Sequence, residues 1–184
     1  HHIILLLIHY LHKYKKMNGK VVAAFSTSLK IKKMCEKYGL PYHVTKIGFK
    51  YVAEIMTNED VLLGGEESGG IAVKGHIPER DGIWDGLVIL EFMAKTGKTL
   101  EQLIQEVYSA VGSFAYDRYD LHLEEKLKLQ IMQNCKDGKY TSFGKFKVQQ
   151  TENLDGYKFH FGNDTALMIR ASGTEPVLRN YAES

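Results

Sequence analysis

The chain has 184 residues and a mass of 20.9 kDa, and 44% of its residues are hydrophobic, which suits one large domain or two small ones. Its 24 basic and 22 acidic residues leave a net charge of +2, which argues against nucleic-acid or membrane partners held by bulk charge. The two cysteines lie 100 positions apart, which excludes a disulfide framework and favours a reducing, cytoplasmic location. Residues 3–8 are apolar throughout, but a membrane span needs about 20 such residues.

The first part of the chain alternates between helix and strand patterns. Apolar residues at helical spacing predict helices near residues 3–15, 31–38, 49–56, 83–94 and 100–107. Short apolar runs predict strands at residues 21–25, 42–45 and 61–63. In the fourth helix the apolar stripe consists of Ile83, Leu87, Leu90 and Ala94. This alternation predicts a three-layer α/β domain with a mixed sheet over residues 1–110.

The regular alternation of predicted helices and strands ends at about Ser113. Residues 113–123 have a strand pattern, residues 124–135 a helix pattern, and short strand candidates follow, with clean alternation at residues 157–161. Several strands with few helices predict a smaller α+β domain with an antiparallel sheet over residues 113–184. We place the boundary between Ser109 and Ser113.

The first motif that could carry chemistry is residues 64–70, with the sequence GGEESGG, directly after a predicted strand. Four glycines in seven positions allow a close approach of the backbone to a ligand. A carboxylate at Glu66 and a hydroxyl at Ser68 suit the vicinal hydroxyls of a sugar, because each can make a distinct hydrogen bond. The alternative is a flexible acidic turn.

The second motif is residues 170–176, with the sequence RASGTEP, followed by Arg179. Two guanidinium groups, two hydroxyls and successive backbone N–H groups around a glycine turn form a suitable nest for a phosphate dianion. The alternative interpretation is a polar hairpin with solvated arginines. The clustering of arginine, serine and threonine around a glycine turn argues against this alternative.

Other patterns carry less information. Residues 97–99 (GKT) resemble the end of a nucleotide-binding P-loop, but that motif requires glycine where Phe92 stands. Thr99 and Gln102 instead fit a capping box that opens the fifth helix. The eight histidines show no metal-ligand spacing, and both cysteines are expected to be buried apolar residues.

Taken together, the loops resemble those of the α-D-phosphohexomutases, the family of phosphoglucomutase and phosphomannomutase. Residues 65–69 are similar to the family's sugar-binding loop, and residues 170–176 with Arg179 to its phosphate-binding loop. Residues 45–50 (TKIGFK) resemble a turn of the third domain whose lysine faces the active site. The resemblance implies the third domain and most of the fourth domain of a four-domain isomerase, which transfers phosphate between O1 and O6 of a hexose.

The resemblance also implies roles for particular residues. Arg170, Ser172, Gly173, Thr174 and Arg179 would bind the non-reacting phosphate of a hexose phosphate substrate. Glu66 and Ser68 would bind the sugar hydroxyls. Lys50 would act as a general acid or stabilise charge near the transferring phosphoryl group. In two places the motifs depart from the family pattern, since Gly70 replaces a common histidine and Ala171 a common proline.

The chain lacks two other family patterns, the Ser-His-Asn loop that carries the phosphoserine and the Asp-Gly-Asp-Gly-Asp metal loop. The resemblance therefore implies that the Mg²⁺ ligands and the phosphoryl donor lie in N-terminal domains outside this chain, and that a hexose bisphosphate acts as activator. We expect the chain alone to be inactive. The alternatives are a non-catalytic sugar-phosphate-binding module and an inert structural fragment.

Overall fold

The computed structural model describes residues 1–172 and 175–184. The chain divides into two compact units, His1–Ser113 and Phe114–Ser184. Each unit has its own sheet.

The first unit is built on a mixed sheet, as predicted, and this sheet has four strands. Its helices are α1 (His2–His9), continued by a π-helix over Tyr10–Tyr14, α2 (Leu29–Tyr38), α3 (Phe49–Asn58), α4 (Gly82–Thr96) and α5 (Leu100–Val111). Its strands are β1 (Lys20–Ala24), β2 (Tyr42–Thr45), β3 (Val61–Gly65) and β4 (Ile71–Val73), in the order β2-β1-β3-β4. Strands β1, β2 and β3 are parallel, and β4 pairs antiparallel to β3.

Helices cover both faces of this sheet, and two glycines at the end of β3 allow them to come close. A Cβ on Gly64 would lie 2.3 Å from a methyl group of Val52 in α3. A Cβ on Gly65 would lie 3.0 Å from the end of Ile4 in α1. Because successive residues of a strand point to opposite faces, α1 and α3 pack on opposite sides of β3. These two glycines therefore serve helix packing.

Three local features that the sequence predicts are found in the structure. Thr99 and Gln102 form the predicted capping box of α5. Gly39 ends α2 in the left-handed conformation that favours glycine. Cys35 and Cys135 are both buried free thiols, as expected.

Helix α4 differs from the sequence-based expectation. It turns Asp85, Val88 and Phe92 towards the interior of the unit, while Ile83 and Leu87 from the apolar stripe are exposed. Strand β4, which was not predicted, is only three residues long and lies too close to β3 in sequence to show a pattern of its own.

The second unit has the predicted antiparallel sheet. Its strands are β5 (Tyr116–His122), β6 (Ser142–Phe143), β7 (Phe146–Lys147), β8 (Gln150–Glu152), β9 (Tyr157–Gly162), β10 (Thr165–Ala171) and β11 (Val177–Glu183). Five of them form a sheet in the order β5-β11-β10-β9-β8, and β6 and β7 form a separate hairpin. Helix α6 (Glu125–Lys136) packs on one face, where Cys135, Phe159, Ile169 and Leu178 form the core.

A polar network around the buried His9 joins α1, α2 and α5 of the first unit. His9 is 1% exposed and contacts the Tyr38 hydroxyl through Nδ1 and Glu106 through Nε2, at 3.1 Å. Tyr14 donates a hydrogen bond of 2.7 Å to the same carboxylate, and Lys98 also donates to it. Burial by itself would raise the pKa of Glu106, but these donors outweigh it and lower that pKa to about 2.

We expect this network to make the chain sensitive to acid. Because the folded pKa of Glu106 is about 2 and its ordinary value is 4.5, its contribution to stability is complete above 4.5 and is lost as pH falls towards 2. Glu106→Gln should lower the free energy of unfolding by about 1–3 kcal/mol at pH 7 and flatten its acid dependence. Urea unfolding at a series of pH values measures both. Glu101→Gln, exposed on the same helix, is the control, and parallel pH profiles for the parent and Glu106→Gln would contradict the account.

Candidate functional site

In the first unit the predicted site residues lie at one edge of the sheet. The parallel strands β1, β2 and β3 end there, and ligands of α/β proteins bind at the carboxyl ends of parallel strands. The residues that follow β2 contain Lys50, and the turn that follows β3 contains Glu66 and Ser68. Residues 66–70 connect β3 to β4, so the predicted sugar-binding loop is the turn of a β-hairpin. We refer to it below as the hairpin turn.

At this edge of the sheet, the Glu66 carboxylate is buried and held by a backbone hydrogen bond. The residue is 6% exposed, and its Oε1 accepts a hydrogen bond of 2.8 Å from the backbone N–H of Gly48. Gly48 precedes α3 with a φ of 132°, which favours glycine. The bond therefore ties the hairpin turn to the start of α3. The other oxygen, Oε2, lies 3.4 Å from the position that a Cβ of residue 70 would occupy.

The neighbours of Glu66 in the hairpin turn have different environments. Ser68 is exposed at the tip. Glu67, which was not selected from the sequence, is half-buried and accepts a hydrogen bond from the Ser26 hydroxyl, directly after β1. Glu66 and Glu67 thus connect the turn to two neighbouring loops, while Ser68 is accessible to a ligand.

Lys50 lies in the first turn of α3, two residues from the amide that binds Glu66. Its side chain is exposed, and its Nζ lies 4.9 Å from the centre of the Tyr51 ring. This distance is within the range of a cation–π contact. The structure therefore places a positive charge on the accessible surface at the start of α3, the helix that follows the amide bound to Glu66.

Arg80 is a residue at this edge that the sequence analysis missed. Its guanidinium lies 5.2 Å from the centre of the Phe49 ring, at the start of α3. A Cβ on Gly70 would lie 2.6 Å from the Arg80 Cδ, so the arginine occupies space that any other residue at position 70 would need. The absence of a side chain at Gly70 is the only sequence signal for this contact, because ten residues separate the two positions.

In the second unit the two predicted phosphate-binding arginines lie side by side. Arg170 of β10 is directly opposite Arg179 of β11, which is in turn opposite Asp120 of β5. Arg170 donates a hydrogen bond of 3.2 Å to Asp155, and Arg179 donates one of 3.1 Å to Glu175. Like charges directly opposite each other on adjacent strands are destabilising, and these carboxylates offset them. A bound phosphate would therefore compete with existing ion pairs.

The ends of the predicted phosphate-binding loop are held by the sheet and by α6. Ser172 is 6% exposed, and its backbone N–H donates to the Val177 carbonyl at 2.9 Å. Lys128 of α6, which the sequence analysis also missed, is buried and donates to the carbonyls of Ser172 and Glu175 at 3.5 and 3.3 Å. The predicted ligands Gly173 and Thr174 lie outside the described residues.

Metal clusters and membrane-spanning helices are two further kinds of feature that bear on function. Among residues 1–172 and 175–184, no three His, Cys, Asp or Glu side chains are grouped so that they could hold a metal ion. Across the same residues, no helix combines the length and the apolar character that crossing a membrane requires.

The sequence matches two family models. Residues 1–111 match phosphoglucomutase/phosphomannomutase, alpha/beta/alpha domain III, and residues 131–184 match the C-terminal domain of the same family. A phosphoglucosamine mutase of Rubrobacter xylanophilus is 30% identical over 98% of this chain and 37% of its own length. A phosphoglucomutase/phosphomannomutase of Thermococcus kodakarensis is 28% identical over 90% of this chain and 34% of its own length. The chain thus spans about a third of these curated relatives.

Solved structures share the fold. A Thermus thermophilus protein classed as a phosphomannomutase superposes with a TM-score of 0.79 at 29% identity, over the whole of this chain and 36% of that one. A phosphoglucomutase of Paramecium, pp63/parafusin, superposes with a TM-score of 0.81 over the whole of this chain and 36% of that one, and its 24% identity supports the fold alone.

We expect Gly70→Ala to displace Arg80 without unfolding the unit, because the conflicting atom belongs to a flexible, half-exposed side chain. The change in the free energy of unfolding should be within about 1 kcal/mol. The NMR signals of the Phe49 ring should shift as they do in Arg80→Ala, since both variants remove the guanidinium from the ring. Gly86→Ala, where a Cβ would meet no atom within 4 Å, is the control. Unchanged Phe49 signals in Gly70→Ala would contradict the steric coupling.

Proposed function

Because the chain belongs to the phosphoglucomutase/phosphomannomutase family, we propose that it forms the sugar- and phosphate-binding half of a phosphohexomutase. The longer protein would interconvert hexose 1-phosphate and hexose 6-phosphate through a phosphoserine enzyme and a bisphosphate intermediate. The observation that carries the proposal is the buried Glu66 carboxylate, held by the Gly48 amide at the carboxyl edge of the parallel strands.

The roles of the residues follow from their chemistry. Glu66 Oε2 and the exposed Ser68 hydroxyl would bind adjacent sugar hydroxyls, one as an acceptor and the other as donor or acceptor. The carboxylate would need no reorientation when the sugar binds, because its Oε1 already accepts a hydrogen bond from the backbone N–H of Gly48. Lys50 would stabilise the charge of the transferring phosphoryl group or protonate an oxygen, since a lysine ammonium can do either.

The fixed phosphate of the substrate would bind in the second unit. Arg170 and Arg179 would provide charge-assisted hydrogen bonds, together with Ser172, Gly173 and Thr174. Asp155 and Glu175 hold the two guanidinium groups side by side before the ligand arrives, and the phosphate would replace these carboxylates as the acceptor.

Phosphoryl transfer depends mainly on positioning and charge neutralisation. Among the described residues, no three His, Cys, Asp or Glu side chains are grouped so that they could hold a metal ion. In this proposal the Mg²⁺ ligands, the phosphoserine and any dependence on a hexose bisphosphate activator belong to the remainder of the longer protein. Taken alone, the chain would act only as a sugar-phosphate-binding module.

This proposal is tested by comparing the longer protein with the 184-residue chain. The longer protein should convert hexose 1-phosphates, whereas the chain alone should give no turnover with or without Mg²⁺ and a bisphosphate. In the longer protein, Glu66→Gln should lower kcat/KM by about tenfold to a hundredfold, since a charge-assisted hydrogen bond contributes roughly 1.5–3 kcal/mol.

The matched control is Glu67→Gln, which removes a carboxylate that contacts Ser26. It should have a clearly smaller effect on kcat/KM than Glu66→Gln. Equal losses in the two variants, or turnover by the isolated chain above background, would contradict the assigned roles.

A further inference from the structure

Helix α4 is apolar on two sides, although only one of them faces the interior of its unit. Val88 and Phe92 are 7% and 0% exposed, while Ile83 and Leu87 are 81% and 53% exposed. Leu90, at 59%, continues the exposed side. The spacing of residues 83, 87 and 90 places them along one stripe of the helix. An apolar stripe on a helix normally packs against a neighbouring element, so this sequence is adapted to a neighbour on each of the two apolar sides.

The exposed stripe belongs to a larger apolar surface, formed by Ile3, Ile83, Leu87, Leu90 and Leu100, which we name the α4 face. Every one of these side chains is at least 43% exposed. A groove of about 420 Å³ runs alongside, lined by Leu6, Ile71, Ile89, Met93 and Ile104. From Gly82 to Leu90 the only charged residue is Asp85, and it is 5% exposed.

We propose that the α4 face is the docking surface for the domain that precedes this chain in the longer protein. The part that carries it matches domain III of its family, and the chain spans 37% and 34% of the two relatives described above. Much of the length of such a protein therefore lies outside this chain. A surface with large aliphatic side chains and no exposed charge over two turns of helix resembles the core of a permanent interface.

The location of the face supports the same occupant. Gly69 of the hairpin turn lines the groove beside α4, so the apolar surface continues to the predicted sugar-binding loop. In the proposed function, which this step assumes, the catalytic groups of the preceding domains must reach that loop. A domain seated on the α4 face would be beside it.

The experiment measures how fast a thiol at position 87 reacts. Leu87→Cys is prepared in the 184-residue chain and in the longer protein, and each is labelled with a maleimide. Burial raises the pKa of Cys35 to about 12 and that of Cys135 to about 11, so the native thiols react slowly. Labelling at position 87 should be at least about tenfold slower in the longer protein, since it then requires local opening of the interface.

Glu54→Cys is the matched control, because this exposed position lies on α3, on the opposite side of the sheet from α1. Its labelling rate should be the same in both proteins. A second measurement uses Leu87→Asp, which should lower the melting temperature of the longer protein and leave that of the chain nearly unchanged.

Three results would overturn the proposal. The first is equally fast labelling of Leu87→Cys in both proteins. The second is protection in the isolated chain that grows with its concentration, since a second copy would then cover the face. The third is a coding sequence that starts next to His1. Labelling requires neither substrate nor turnover, so protection at position 87 in a protein without mutase activity would support the interface and contradict the proposed function.

Discussion

The hydrogen bond between the Gly48 amide and the Glu66 carboxylate organises the first unit at the edge where its parallel strands end. A buried carboxylate requires donors, because an unpaired charge away from water is costly. Here the donor is backbone at the start of α3, so the hairpin turn and that helix are positioned together. The first turn of the same helix contains Lys50 and also Phe49, whose ring contacts the Arg80 guanidinium.

The second unit also holds charged side chains in place, and here they are arginines instead of a carboxylate. Arg170 and Arg179 are adjacent on neighbouring strands, and carboxylates on both sides hold them in place. Lys128 fixes the backbone at both ends of the loop between them through two carbonyl groups. Both units therefore present charged side chains that are positioned in advance, which lowers the cost of ordering them when a ligand binds.

Much of the fold was predictable because its signals are local. The periodic apolar residues of α2 and α3 and the run of β2 predicted these elements within a few residues, and three short motifs identified the family. The contacts of Arg80 and Lys128 were not predictable, since each depends on residues that are distant in sequence. The stripe of α4 predicted a helix correctly, but periodicity cannot distinguish a side that faces the unit's own core from one that another domain covers. The roles of Lys50, Glu66 and Ser68 stay predictions, and so do those of the phosphate-binding residues Arg170, Ser172, Gly173, Thr174 and Arg179.

The central claim is that two separate loops of this chain recognise the two halves of a hexose phosphate. The most direct measurement is a chemical-shift titration of the isotope-labelled chain, first with inorganic phosphate and then with glucose 6-phosphate. The account predicts roughly millimolar binding, as expected for about 4 kcal/mol. Phosphate should shift the amides of Ser172 and Arg179, and the sugar phosphate should also shift those of residues 66–68. Shifts that cluster elsewhere, or an Arg170→Ala variant that binds phosphate as tightly as the unmodified chain, would contradict it.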